Sequence, residues 1–177
     1  MKSAKSLFRR FYKDESGSPA IEAGLLFPVL LLMICGMMDV GVGLIVNMKV
    51  TNAAQVVSDL VSRESTVSDA TINDAIIAGK LAIMPYQTTS YGIDIAGIQY
   101  IGTSLTPTVQ WRRTQNMQAN TAVIPHSQGL GAQNEGVTAV TVTHKYEPYF
   151  SASSMNTISM SEESYVRGRK GLFVSKV

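Results

Sequence analysis

The sequence predicts an α+β protein with a long N-terminal transmembrane helix that continues outward and packs on a small antiparallel sheet. Three observations support this prediction. An apolar run extends from Ala20 to Val46, helical spacing of apolar residues continues beyond it, and the second half of the chain contains alternating, strand-like segments. Helices followed by strands in this order are typical of an α+β domain.

The apolar run is long enough to cross a bilayer. As a helix, Ala20 to Val46 would measure roughly 40 Å, against about 30 Å of hydrocarbon. A carboxylate at the bilayer centre costs about 2.5 to 3.5 kcal/mol, but Glu22 and Asp39 would each lie near an opposite face of the membrane. We expect Asp39 either to contact another subunit or to reach the outer interface.

The charge distribution predicts the orientation of this helix. Five basic residues precede the apolar run and should keep that end in the cytoplasm, so the rest of the chain would be exported. They are Lys2, Lys5, Arg9, Arg10 and Lys13. A secretory signal peptide normally has a shorter apolar region. The single cysteine, Cys35, lies in the span, so the sequence predicts no disulfide in the exported part.

The helical pattern continues to about Glu64, and a second helix should begin at Ser68 or Asp69 and stop at Pro85. Asn116 to Gly136 looks like a long exposed loop. Four strands are predicted: Ile93–Ile101, Thr108–Arg113, Val137–Tyr146 and Ile158–Val166. We therefore divide the chain into a basic cytoplasmic leader (1–17), a long helix (18–64) with its span at about 20–46, and a periplasmic α+β domain (65–177).

The residues just before the span admit a purely structural interpretation. Gly17 would end the leader, Ser18 would cap the helix, Pro19 is favoured at a first helical position, and Glu22 would complement the helix dipole.

The same residues, together with the basic leader and the apolar helix, resemble the processing site of type IV prepilins. That resemblance implies cleavage between Gly17 and Ser18 by a membrane-embedded prepilin peptidase. Glu22 would become the fifth residue of the mature chain, where a buried carboxylate needs a cationic partner such as a neighbour's new amino terminus.

A closer resemblance, covering about Asp14 to Arg63, is to the TadE-like family of tight-adherence (Tad) pilus systems. It rests on Glu22, the run from Pro28, Gly36, Asp39-Val-Gly41 and Thr51-Asn-Ala-Ala54. Two positions depart from the family pattern: Ala23 replaces a common aromatic residue, and Asp39 replaces the more usual glutamate. The resemblance implies a bacterial inner-membrane protein with a cytoplasmic N-terminus and a periplasmic C-terminal domain.

Within this interpretation, Pro28 should bend the helix slightly, and Gly36 and Gly41 would let another helix approach closely. Lipid-facing flexibility is the alternative for these glycines. The expected function is a structural one, a minor pilin or pseudopilin-like component of Tad pilus assembly. Its expected partners are the inner membrane, the prepilin peptidase, other pilin-like subunits and the Tad secretion and assembly machinery.

The remaining candidates are weak. His126 and His144 are the two histidines, and without nearby cysteines or paired carboxylates they do not predict a metal or catalytic site. Glu162 and Glu163 look like solvated charges on a polar strand. We expect no cofactor and no catalytic activity. The net charge is only +2, and the basic cluster at Arg167 to Lys170 is sparse. We therefore expect no nucleic-acid partner.

One alternative function remains open from the sequence. The chain could be an uncleaved, single-pass inner-membrane protein whose periplasmic domain binds a ligand or another partner. The N-terminal residue of the membrane-extracted protein distinguishes the two.

Overall fold

A computed structural model of the protein describes residues 18–150 and 157–177. Its longest element is helix α1, Ser18–Ser62, which contains Pro28 without interruption. Strand β1, Thr66–Val67, leads into helix α2, Asp69–Ile83. The Ser68 hydroxyl caps α2 by accepting a hydrogen bond from the Thr71 N–H, as N-cap serines do. Both predicted helices are therefore confirmed, within two residues at the end of α1.

A four-stranded antiparallel sheet follows, and it contains the four predicted strands. Their bounds are β2 Gly92–Ile101, β3 Thr106–Gln115, β4 Gly136–Tyr146 and β5 Ile158–Arg167. The strand order across the sheet is β3-β2-β4-β5. A long apolar helix packed on a small antiparallel sheet confirms the predicted α+β class.

One face of the sheet is covered by the second half of α1, which contacts β4 and β5. Helix α2 packs against α1, and its buried residues join the same core. Buried valines and alanines of α1 pack there against Ile93, Ile95, Val140 and Val142. These α1 residues are Val46, Val50, Ala53, Ala54, Val57 and Val61, all at 0 or 1% exposure. The second half of α1 is thus part of the core of the domain, which we call the head (residues 39–177).

The other face of the sheet is partly covered by the segment between β3 and β4, the predicted loop. It contains a short helix α3, Val123–His126, and Val123 packs with Ala96, Ile98 and Ala139. Most residues of this segment are exposed, as predicted, and the few apolar contacts of Val123 fix it to the sheet.

The C-terminal segment closes the end of the head where α1 stops. Strand β6, Ser175–Lys176, pairs in parallel with β1, and the Arg169 N–H donates to the Ser62 carbonyl at 2.9 Å. Arg169 pairs with Asp59, and Lys170 pairs with Glu64 at 3.1 Å. Arg169 and Lys170 of the basic cluster therefore form ion pairs beside the C-terminal end of α1, remote from its apolar half.

Candidate functional site

The first half of α1 is an exposed apolar surface. From Pro19 to Met38 every described side chain is exposed except Cys35 and Gly36, which are half-buried. This stretch of about 20 residues would measure roughly 30 Å. Of the described helices, α1 alone has the length and composition of a membrane-spanning helix. An exposed apolar surface of this kind suggests membrane anchoring.

Three predicted packing residues lie on this exposed half or at its end. Pro28 is exposed within the helix, where its missing N–H removes one backbone hydrogen bond. A Cβ added at Gly36 or Gly41 would meet nothing within 4 Å. The contrast is Gly43, whose Cβ would lie 3.3 Å from the Tyr146 ring. Gly36 and Gly41 therefore leave open space beside the helix, whereas Gly43 faces the head.

The predicted processing site is described only in part. Gly17 lies outside the described residues, and Ser18 is the first residue of α1. Glu22 lies in the exposed first turns of the helix. Cleavage after Gly17 thus stays a prediction.

Asp39 lies where the exposed half of α1 meets the head, and its side chain is buried at 4% exposure. Its carboxylate accepts hydrogen bonds from the backbone N–H groups of Tyr149, at 2.8 Å, and Phe150, at 3.1 and 3.2 Å. The Tyr146 hydroxyl donates to the Asp39 carbonyl at 3.1 Å. We call Asp39, Tyr146, Tyr149 and Phe150 the Asp39 junction.

A contact of Asp39 with another subunit, or its position at the outer interface, stays a prediction. The carboxylate itself is buried and is bonded within the chain. It holds the end of β4 and the first residues after it against α1, because a buried carboxylate needs donors to replace lost water. The sequence singled out Asp39 as an acid in an apolar run, but it gave no signal for its backbone partners.

Two grooves flank the junction. One, of about 470 Å³, lies between α1 and β5 and is lined by Asp39, Leu44, Ile158 and Met160 among others. The second, of about 320 Å³, lies on the other side of Tyr146 and includes His144 and Tyr86. Burial lowers the pKa of His144, whose Nδ1 lies 3.2 Å from the Ser90 hydroxyl.

A polar network lies on the opposite face of the sheet, around Glu163. The carboxylate of Glu163 contacts His126 Nδ1 at 2.8 Å, the Tyr165 hydroxyl at 2.7 Å and the Asn120 amide at 2.6 Å. Burial alone would raise the pKa of Glu163, but these hydrogen bonds outweigh it and hold the pKa below its usual value. Glu163 is thus not the simple solvated charge that we expected.

Asp94 extends this network into the sheet at 1% exposure. It accepts from the Asn120 N–H at 2.8 Å and lies 3.5 Å from Arg112 Nε. Burial raises the pKa of Asp94 despite both partners. The network thereby fixes the β3–β4 segment to the sheet. Within residues 18–150 and 157–177, no three His, Cys, Asp or Glu side chains are placed to hold a metal ion.

The fold and the exposed half of α1 define a class of protein, in which one long apolar helix has its second half built into an α+β head. A family model described as TadE-like protein matches residues 17–59, the leader boundary and most of α1. This match confirms the predicted resemblance to the TadE-like family for that part of the chain. In general terms, it supports the assignment of the protein as a component related to Tad pili. The chain matches no curated protein and no solved structure.

Proposed function

We propose that the chain is a minor pilin or pseudopilin-like structural component of Tad pilus assembly, without catalytic activity. The observation that carries this proposal is the division of α1. Its first half presents apolar side chains all round, and its second half is core to the head. A helix of this design can pack among lipids or other pilin-like helices while it presents the head outside the membrane.

The helix would cross the bacterial inner membrane once, with the basic leader in the cytoplasm and the head in the periplasm. The leader charges support this orientation. A reporter enzyme that is active only in the periplasm, fused after Val177, should be active. The same reporter fused to Met1 should be inactive, and the reverse pattern would contradict the orientation.

Processing by a prepilin peptidase after Gly17 completes the proposal. The family match begins at residue 17, and Ser18 begins the helix, so the cleaved bond would lie at the helix boundary. An extended glycine backbone suits entry into a protease. The new amino terminus at Ser18 could then pair with Glu22 of a neighbouring subunit.

N-terminal sequencing of membrane-extracted protein tests the processing. With the matching peptidase present, the first residue should be Ser18. Gly17→Leu should block the size shift, whereas Gly24→Ala, a change at an open helix position, should leave it intact. An intact Met1 in the presence of the peptidase would favour the uncleaved anchor with a partner-binding head.

Association with other pilin-like subunits can be tested at the open glycines. Gly36→Leu and Gly41→Leu add bulk where the monomer has open space. We therefore expect both variants to reduce the amount of the protein that co-purifies with Tad pili or their assembly complex, and to reduce adhesion of the cells. The total amount of the subunit should stay unchanged. Unchanged recovery for both variants would indicate that these faces contact lipid.

A further inference from the structure

Two aromatic side chains stand exposed side by side just after β4. Tyr149 is 70% exposed and Phe150 is 58% exposed. In the described part of the head, every other aromatic ring of Phe, Tyr or Trp is buried or half-buried. Exposing two large rings to water is unfavourable, so this pair indicates a contact surface.

The Asp39 junction fixes the position of this pair along α1. Both backbone N–H groups donate to the Asp39 carboxylate at 2.8 to 3.2 Å. The two rings are therefore attached at the level of Asp39, where the exposed half of the helix ends.

The same level is close to the outer edge of the proposed span. Counting from Glu22, the ~30 Å of hydrocarbon take about 20 helical residues and end near residue 42. The next charged residue of α1 after Asp39 is Lys49. Tyr149 and Phe150 would thus lie at the boundary between acyl chains and headgroups, where aromatic side chains are enriched in membrane proteins.

We propose that Tyr149 and Phe150 insert into this outer boundary and form a second contact between the head and the bilayer. The inference rests on the membrane span of the proposed function. The bilayer is the partner because the pair is held at the end of a helix whose apolar surface continues directly into the proposed membrane. With two contacts, α1 and the aromatic pair, the head would hold a fixed tilt relative to the membrane.

Nitroxide accessibility in vesicles tests the proposal on the full chain. Cys35→Ser gives a background without cysteine, into which Tyr149→Cys or Phe150→Cys is introduced, labelled and reconstituted in phosphatidylcholine and phosphatidylglycerol vesicles. Leu31→Cys, in the proposed span, and Leu172→Cys, 65% exposed at the far end of the head, are the matched controls. Apolar oxygen and a water-soluble nickel chelate then report the depth of each label.

We expect the oxygen-to-nickel accessibility ratio at 149 and 150 to be several-fold above that at 172 and below that at 31. A ratio at 149 and 150 equal to that at 172, with 31 in lipid, would overturn the inference and leave the span intact. Exclusion of both reagents at 149 and 150 would indicate a protein contact and also overturn it. A water-exposed label at 31 would overturn the span and this inference together.

Tryptophan quenching gives an independent measurement without labels. The chain has one tryptophan, Trp111, which is buried in the head and donates to the Val174 carbonyl at 2.7 Å. Phe150→Trp should show quenching by brominated phosphatidylcholine, whereas the wild-type chain should show little. Equal quenching of the two proteins would contradict insertion of residue 150.

Discussion

At the residue scale, Asp39 joins two parts of the chain that are more than a hundred positions apart. It is the one acid of α1 between Glu22 and Asp59, and its carboxylate is bonded to backbone N–H groups after β4. A charged acceptor with backbone donors contributes about 1.5 to 3 kcal/mol per bond. Asp39 therefore stabilises the base of the head.

Replacing Asp39 tests this contribution. Asp39→Asn keeps one acceptor oxygen but removes the charge and turns an amide donor toward N–H groups, so unfolding of the head should cost about 1 to 3 kcal/mol less. Denaturant unfolding of the protein in detergent measures this loss. Glu22→Gln, outside the head, is the control. Equal stability of Asp39→Asn and wild type would contradict the role.

Glu163 should make the head sensitive to acid. Because its pKa is lowered in the folded protein, its contribution is present above the unfolded value of about 4.3 and is lost as pH falls through the lower folded value. At pH 7, Glu163→Gln should reduce the free energy of unfolding by about 1 kcal/mol.

The difference between wild type and Glu163→Gln should shrink steadily below about pH 4. Unfolding curves at several pH values measure it. Because the pKa of Asp94 is raised, its effect on stability changes with pH in the opposite direction. That effect is present in both wild type and Glu163→Gln, so it cancels in the difference. Glu162→Gln is the control on the same strand, because it keeps an oxygen for the Asn47 amide, 3.2 Å away. A difference that persists unchanged at pH 3 would contradict the sign.

At the element scale, α1 and α2 approach closely at Gly79. A Cβ there would lie 2.5 Å from the Tyr91 hydroxyl and 2.6 Å from Val57 Cγ2. Val57 belongs to α1 and is fully buried. The absence of a side chain at Gly79 thus determines how closely the two helices pack on the sheet.

Substitution of Gly79 tests this packing. Overpacking destabilises a core by about 1 to 3 kcal/mol, whereas alanine stabilises a helix relative to glycine by at most about 1 kcal/mol. Gly79→Ala should therefore lower the melting temperature of the head. Gly41→Ala is matched in helix type but meets nothing within 4 Å, so it should not lower it. Equal effects of the two substitutions would contradict the close approach.

Most elements were predictable from local patterns. The two long helices followed from apolar spacing and from Ser68 and Pro85, and the best strand followed from alternation at Val140, Val142 and Tyr146. The packing of the β3–β4 segment on the sheet was not predictable, because the contacts of Val123 and Asn120 leave no periodic pattern in the sequence. The Asp39 junction was hidden for the same reason, since backbone donors leave no pattern in a sequence.

At the scale of the whole molecule, the head includes half of α1. Four buried valines of α1 would each contribute about 1.5 to 3 kcal/mol, a sum comparable to the 5 to 15 kcal/mol of a typical domain. A domain that begins at residue 65 would lack them. The head as a folding unit therefore begins near Asp39.

Two truncations test this boundary. Residues 39–177 should fold as a cooperative unit, because no described side chain in the removed half of α1 is buried. Residues 65–177 should lack a cooperative transition. Thermal unfolding followed by circular dichroism measures both. A cooperative transition in residues 65–177 would show that the sheet and α2 suffice.

The sequence by itself determined the apolar span, the long helix, the strands and the resemblance to TadE-like proteins, because hydrophobic periodicity, charge asymmetry and a short motif are local properties. Tertiary structure decided which half of α1 belongs to the head and what Asp39 binds. Those outcomes depend on contacts between residues distant along the chain, among them Asp39 with Phe150 and Gly79 with Val57. Such contacts arise from packing and leave no periodic trace.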